Sequence, residues 1–437
     1  MNAVIIAILV MLMLSLLRMN VVLSIVIGAL IGGLTGGLSL AKTIEIFSGG
    51  LGGSSQVALS YALLGAFAVA ISKTGLPDLL VEKATTFFNK GNGNTQTAAM
   101  KSLLIGMLLL MACMSQNIIP IHIAFIPILV PPLLILMNEL KLDRRMIATT
   151  LTFGLTMPYI LFPAGFGEIF HGIVRDNIQS NGLNIADLSI TKAMLIPVAG
   201  MVMGLLLSWF FYRKERTYHQ FETNVEVKTG TYTGRSILFA CMAIVSALAV
   251  QLYTKNMIIG ALVGILVIYL GGAVKWREYD NVLTDGMKMM AFIGFVMLSA
   301  SGFAEVLKET GDVESLVNNA ASMMEGSKAI AAAVMLLVGL FVTLGIGSSF
   351  STVPIIATIY VPLAMELGFS PMAILSLVGT AAALGDAGSP SSDSTLGPTS
   401  GLNVDGQHNH IWDTVVPTFI FYNIPLLVFG WIAAMIL

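Results

Sequence analysis

The sequence predicts an all-α polytopic membrane protein built as two inverted repeats. Each repeat holds five spans plus one re-entrant hairpin, about ten spans in total. Three observations predict this. The chain of 437 residues is 56% hydrophobic and only 11% charged, with a mean hydropathy of +0.87; a soluble domain carries about 25% charged residues. Its second half matches its first at a series of positions, at one offset over the opening spans and with small gaps beyond them. Its hydrophobic runs are interrupted at matching places by short polar stretches rich in Gly, Ser and Pro.

Taken in order, runs long enough to cross about 30 Å of hydrocarbon occupy 3–17, 21–40, 57–71, 194–212, 237–252, 257–274, 289–304 and 414–437. The first run lacks a basic leader and an Ala-x-Ala site, so it reads as a span and not a cleaved signal. The stretches between are different. Residues 102–114 and 124–137 flank the polar patch Ser115-Gln116-Asn117, followed by Pro120. Residues 329–346 and 355–367 flank Gly347-Ser348-Ser349-Phe350-Ser351-Thr352, followed by Pro354. Each reads as a re-entrant hairpin with a polar tip, over about 101–138 and 328–367. Residues 372–385 make only about 21 Å of helix, too short to span alone. They run into Gly385-Asp386-Ala387-Gly388-Ser389-Pro390-Ser391-Ser392-Asp393-Ser394-Thr395, which predicts a broken span over about 372–403. The first-half counterpart, about 146–175, breaks around Pro158 and Pro163.

Placing Asn20 on Asn256 aligns Gly28 with Gly264, Gly36 with Gly272, Gly50 with Gly286, Phe67 with Phe303, and Thr74-Gly75 with Thr310-Gly311. With small gaps, Ser115 meets Ser349, Pro120 meets Pro354 and Glu139 meets Glu366. The repeats are then 1–212 and 236–437, joined by a linker over 213–235. Five crossings is an odd number, so the second half is inverted. Most of the 22 Lys and Arg fall on one side, among them Arg18, Lys73, Lys101, Lys141, Arg144, Arg145, Arg213, Arg216 and Lys288. Lys42, Arg175, Lys192, Lys255, Lys308 and Lys328 fall on the other. The positive-inside rule makes the richer side, with the linker, cytoplasmic, which puts both termini outside a bacterial cytoplasmic membrane.

From Ala329 to Leu437 there is no Lys and no Arg, yet Asp386 and Asp393 stand in the second break. A carboxylate at membrane depth costs at least about 2.5–3.5 kcal/mol and survives by pairing, by meeting water or by taking a proton. With no basic partner near in sequence, a mobile cation is the natural partner. Unwound backbone at the midplane of inverted repeats binds ions and substrates. The expected ion-coupling residues are therefore Asp386, Asp393 and Ser389. The hairpin tips Ser115, Gln116, Asn117, Ser348, Ser349, Ser351 and Thr352 are expected to bind substrate, and Na+ could sit at Asp386, Ser349 and Asn117. Thr156 and Glu168 are candidates for the pathway.

Blander readings accompany these. Ser and Thr in membrane helices often bond their own backbone, and Asp393 could cap the next half-helix. His171 reads as a loop residue near the exterior, and His408-Asn409-His410 as a polar loop before the last span. Cys113 and Cys241 read as buried free thiols. Net charge is −2 with no basic block, so nucleic acid is not expected as a partner. The expected partners are the lipid bilayer, a small-molecule substrate and a second copy of the chain.

The tip Gly347-Ser348-Ser349-Phe350-Ser351-Thr352 and the run Gly385-Asp386…Ser389-Pro390-Ser391-Ser392-Asp393-Ser394-Thr395 resemble the NhaC-type sodium/proton antiporter family, with its Gly-Thr-Ser-x-x-Thr-like tip and Gly-Asp-x-x-Ser-Pro-x-Ser-Asp-Thr-Thr motif. The likeness covers most of 236–437 and extends loosely to the first half through the repeat. It implies a scaffold and a mobile transport domain with elevator-like alternating access. Some short, methionine-rich members resemble amino-acid permeases, histidine among their suggested substrates. Phe350, Ser391 and the tip spacing depart from the antiporter pattern.

The expected function is secondary transport, not catalysis: Na+ or H+ coupled to uptake of a small amino acid, with no other cofactor. The alternative is Na+/H+ antiport without an organic substrate. A Tyr-Asp plus Gly-x-Gly-Asp intramembrane protease is disfavoured, because Ala383 stands at the first Gly position and Tyr279-Asp280 lies in a charged loop. No Gly-x-x-x-x-Gly-Lys-Ser/Thr motif is present for nucleotide-driven transport.

Overall fold

The computed structural model describes the chain except residues 1, 77–78, 80–93, 118–124, 220–232, 255, 273, 275–277, 314 and 317–326. The described residues are helical, without strands. The first half runs α1 (Ala3–Leu16), α2 (Val21–Thr35), α3 (Leu40–Gly50), α4 (Ser55–Ser72), α5 (Asn94–Asn117), α6 (Phe125–Glu139), α7 (Arg144–Leu161), α8 (Phe166–Ser180) and α9 (Ile190–Phe211). The second runs α10 (Gly234–Thr254), α11 (Met257–Gly271), α12 (Tyr279–Glu309), α13 (Lys328–Ile346), α14 (Ser349–Glu366), α15 (Pro371–Ala383), α16 (Asp393–Leu402) and α17 (His410–Ile436). Among the described residues, seven helices are long and apolar enough to cross a membrane, or nine if each of two bent pairs counts as one span. Those pairs include α7 with α8, bent by 47°. The protein is a multi-pass membrane protein.

Residues matched in sequence do the same local work in both halves. Asn20 Oδ1 accepts from Val22 N at 2.9 Å to start α2, and Asn256 Oδ1 accepts from Ile258 N at 2.9 Å to start α11, each capping orphan amides. Gly28 lets α2 approach the Ala7 carbonyl of α1, and Gly264 lets α11 approach Ala247 of α10. Without a hydrophobic drive between helices in lipid, such close small-residue contacts do the packing. Thr74 and Thr310 each bond the carbonyl three residues back at 2.7 Å, ahead of left-handed Gly75 and Gly311.

Two cores result. The smaller gathers Leu63, Leu64 and Phe67 of α4 with residues of α10, α11 and the start of α12. The larger contains residues of α5 to α9 and of α13 to α17. Lys328 Nζ donates to the Gly368 carbonyl at 2.5 Å, joining the bases of the α13–α14 arms at one end of the hairpin. Left-handed Gly347 turns the chain at the other.

A second set of contacts binds the loops. Fully buried Arg144 donates to both Asp405 carboxylate oxygens, to the Leu402 carbonyl and to Asn138 Oδ1, and its guanidinium lies 4.2 Å from the Tyr218 ring centroid. Arg216 pairs with Asp413 at 2.9 Å, and His219 exchanges hydrogen bonds with Gln407. The start of the 213–235 linker is thus tied to the loop after α16 and the first turn of α17; 220–232 lies outside the described residues.

One expectation about the cysteines fails. Cys241 is exposed on α10 and Cys113 is half-buried. An apolar neighbourhood in sequence means interior in a soluble protein; on a membrane helix it also describes the face that meets lipid.

Candidate functional site

The second break is held open by glycine geometry and by one polar residue of the last helix. Gly385 and Gly388 have φ of 92° and 140°, a region that disfavours side chains. A Cβ on Gly388 would lie 2.6 Å from Asn423 Nδ2 and 2.8 Å from the Phe419 Cα. Asn423 closes the loop, accepting from Gly385 N and donating to the Ala387 carbonyl, both at 2.9 Å. It ends a π-helical stretch, Phe419–Asn423, of α17. Such widened turns often mark functional sites.

Within this frame Asp386 is 9% exposed and surrounded by hydroxyls. Oδ1 accepts from Ser392 Oγ at 2.5 Å; Oδ2 accepts from Tyr159 Oη at 2.6 Å and Ser394 Oγ at 3.2 Å. Tyr159 Oη also lies 2.9 Å from Ser349 Oγ. Its single proton goes to the carboxylate, so Ser349 is the donor in that pair. A chain of hydrogen bonds therefore runs from the α13–α14 tip, through the first-half helix α7, to the second-half break. Thr152, two turns before Tyr159 on the same face of α7, donates to the Ser394 carbonyl at 2.9 Å.

These donors offset the cost of an ionised carboxylate, each bond to charge being worth about 1.5–3 kcal/mol. Each hydroxyl keeps lone pairs while it donates. The same group can hold an ionised Asp386, accept a proton on it, or offer hard oxygens to Na+. Among the described residues no basic side chain pairs with Asp386.

Other expected residues take varied places. Ser389 is buried, 2.9 Å from Ser391 Oγ and 3.4 Å from the Leu344 carbonyl. Thr352 bonds Thr343 and the Ser348 carbonyl. Ser348 precedes α14 without a side-chain cap bond, and Ser351 is exposed. Ser115 donates to the Ala112 carbonyl at 2.8 Å, and Thr156 to the Thr152 carbonyl at 2.8 Å; both follow the bland backbone-bonding reading. The side chains of Gln116 and Asn117 lie outside the described residues. Glu168 is exposed in the first turn of α8, outside the Asp386 cage.

Two local readings are corrected. Ser392, not Asp393, caps α16 by accepting from Ser394 N, and Asp393 occupies the first helical position. His171 is not in an exterior loop: it is buried in α8 and donates from Nε2 to the Ile160 carbonyl at 3.0 Å, holding the two halves of the bent span together. His408 and Asn409 belong to the loop before α17, as read, but His408 and His410 are themselves buried, with His408 Nε2 at 2.6 Å from Thr414 Oγ1 and His410 donating to the Pro390 carbonyl at 2.8 Å. A cavity of about 430 Å³ next to it is lined by Arg18, Asn20, Phe292, His408, His410 and Asp413, among others.

Sequence reasoning missed Tyr159 and Asn423 as site residues. Both left a signal: Tyr159 follows Pro158 at the first-half break, and Asn423 is a lone amide in an apolar span.

A family model described as the Na+/H+ antiporter family matches residues 150–431, which contain the second hairpin and both breaks. Another, described as the Na+-H+ antiporter family, matches residues 2–88. "Putative amino acid transporter YuiF" of Bacillus subtilis (strain 168) is 56% identical over 100% of both chains. Uncharacterized membrane proteins of Vibrio parahaemolyticus and Haemophilus influenzae are 56% and 53% identical, each over 91% of both chains. Among solved structures, MtrF of Neisseria gonorrhoeae aligns with 91% of this chain and 85% of its own at 15% identity and a TM-score of 0.40, too distant to inform the site. The chain belongs to the Na+/H+ antiporter family, and is a membrane transporter coupled to Na+ or H+.

Proposed function

We propose that this protein is a secondary transporter that couples entry of Na+ or H+ to uptake of a small amino acid, histidine being the first candidate, by elevator-like alternating access. One observation carries the reading: Asp386 sits in a hydroxyl cage built from a hairpin tip, a first-half helix and the second break. Moving the hairpin tip breaks the chain through Ser349 and Tyr159, so cation occupancy and tip position are linked. The name of the Bacillus subtilis relative supports an amino acid as the cargo.

The membrane is the bacterial cytoplasmic membrane, with both termini outside and two five-span repeats in opposite orientation. Contacts between segments of like expected sidedness support this. Arg144 meets the loop after α16, Arg216 meets the first turn of α17, and Ser236 bonds the Thr74 carbonyl. Asn2 bonds Asp312, and Ser370 bonds Leu437 at the other face. The lipid bilayer and the transported small molecule are its partners, and a homodimer is the expected assembly.

A second reading, Na+/H+ exchange without organic substrate, is favoured by the family description. Proteoliposomes separate the two. A symporter accumulates labelled amino acid against its gradient when the matching ion gradient is imposed, with reciprocal tightening of ion and substrate. Robust Na+-driven proton flux in substrate-free vesicles, with no amino-acid uptake, would establish the exchanger instead.

A further inference from the structure

One end of α5, α7 and α9 carries a basic pocket that the transport site does not use. The apolar stretch of α5 runs from Thr97 to Ser115, and that of α9 from Ile190 to Phe211. Lys101 stands in the opening turns of the first, and Arg213 and Lys214 follow the end of the second. Lys141 sits in the loop between α6 and α7, at a left-handed φ of 51°. The linker is pinned to this loop, because Arg216 N donates to the Lys141 carbonyl at 3.1 Å. Glu215 then falls between two lysines, 2.9 Å from Lys101 Nζ and 3.8 Å from Lys141 Nζ. Lys101, Lys141, Arg213 and Lys214 line a cavity of about 210 Å³, together with Ser102. Asp143 is the carboxylate on its wall, and it is already held by Arg145 at 2.6 Å.

Positive charge is therefore in excess here, since one exposed Glu215 is shared by two lysines, and such surface pairs hold weakly. A small basic pocket with a hydroxyl on its wall suits a phosphate ester. Its depth points to the source of that phosphate. Exposed Phe210 and Phe211 and half-buried Tyr212 come immediately before the cations of α9, and the Arg213 guanidinium lies 4.5 Å from the Phe210 ring centroid. Aromatic rings next to basic residues at the end of an apolar run mark the headgroup level of a membrane. On α5, exposed Leu103, Met107 and Leu110 lead away from Lys101 along the apolar stretch. A soluble anion would use only the cations, whereas a phospholipid uses the cations and the apolar surface beside them.

We propose that Lys101, Lys141, Arg213 and Lys214 bind the phosphate headgroup of an anionic phospholipid, whose acyl chains lie along the exposed apolar side chains of α5 and α9. The face is the one richest in Lys and Arg, expected to be cytoplasmic, where anionic lipid attracts basic segments at the membrane surface. The bound lipid ties α5 to the α6–α7 loop and to the start of the linker. The site is independent of which solute is carried.

The test uses the full chain in detergent, titrated with phosphatidylglycerol, with phosphatidylcholine or with inorganic phosphate. Bound lipid is counted by native mass spectrometry, and the melting temperature is followed in parallel. Wild type is compared with Lys141→Gln plus Lys214→Gln, with Lys141→Arg plus Lys214→Arg, and with Lys42→Gln plus Lys192→Gln at the opposite face. Phosphatidylglycerol is expected to bind wild type and raise its melting temperature, with little effect of phosphatidylcholine. Each basic residue near the membrane surface is worth about fivefold in affinity, so the Gln pair at 141 and 214 should weaken binding about 25-fold. The Arg pair and the opposite-face pair should stay within about twofold of wild type. Exposed charges are screened by salt, so wild-type binding should also weaken at least about tenfold between about 0.05 and about 0.5 M NaCl, a reading that needs no variant to fold. Equal binding of the two lipids, salt-independent binding, or unchanged affinity in the Gln pair overturns the inference. Stabilisation by inorganic phosphate equal to that by phosphatidylglycerol, with competition between them, also overturns it, because the site would then hold a soluble anion.

Discussion

Tyr159→Phe removes a single oxygen from the centre of the site. The ring keeps its packing, 5.3 Å from the Phe170 centroid and 5.6 Å from Phe350. The Asp386 carboxylate loses one of its three hydroxyl donors, and Ser349 loses its acceptor. A hydrogen bond to a charged group is worth about 1.5–3 kcal/mol, a factor of about 10 to 150 in an equilibrium constant. The half-saturating concentration of the coupling cation, read from ion-dependent uptake in proteoliposomes, should rise by about that factor. Ser349→Ala removes only the neutral bond, worth about 0.5–1.5 kcal/mol, and should cost no more than about tenfold. Ser349 reaches the carboxylate through Tyr159, so the double variant should match Tyr159→Phe and not the product of the two effects. Cation dependence within twofold of wild type in Tyr159→Phe, or additive losses in the double variant, would refute the hydrogen-bonded chain.

Other expectations follow from the same geometry. Gly388→Ala forces a Cβ against Asn423 and Phe419 at φ of 140°, so detergent-solubilised protein should melt lower and transport should be lost; unchanged melting would mean the break is not rigidly held. Asp405→Asn leaves buried Arg144 without its counter-charge and should cost about 3–5 kcal/mol, read as a loss of folded protein on heating. Burial pushes the His408 imidazole down to about 3, well below its ordinary value near 6.5. Below about pH 6.5 the unfolded chain binds a proton that the native state refuses, so stability present above that pH is lost as pH falls toward 3. His408→Gln should flatten this acid limb, measured as melting temperature against pH. In a background with Cys113 and Cys241 replaced by Ser, Lys214→Cys should react only from the cytoplasmic side and Ser180→Cys only from outside; reaction from one common face would contradict the expected topology.

The helical, multi-pass architecture was legible because hydropathy and Gly/Pro breaks are local properties of the chain. Asp386 was legible for the same reason: a carboxylate in a run without Lys or Arg has few ways to exist in a membrane. Tyr159 was not, because its role depends on α7 crossing the second break, a contact between distant segments that no local pattern encodes. Capping by Ser392 and not Asp393 turned on a single residue of register. Cys241 shows a further limit: hydropathy does not distinguish a face turned to lipid from one turned to protein. The burial of His408 and His410 was hidden too, because their partners Thr414, Thr399 and Pro390 are brought together by the folding of the break itself.

The most direct measurement is ion-gradient-driven uptake by Asp386→Asn beside wild type, in proteoliposomes of equal protein content. The side chain keeps its shape and loses its charge and one acceptor. The account predicts concentrative uptake by wild type and none by Asp386→Asn, with the variant still folded and monodisperse in detergent. Ion-driven accumulation by Asp386→Asn at the wild-type rate would remove Asp386 from the coupling step and contradict the account.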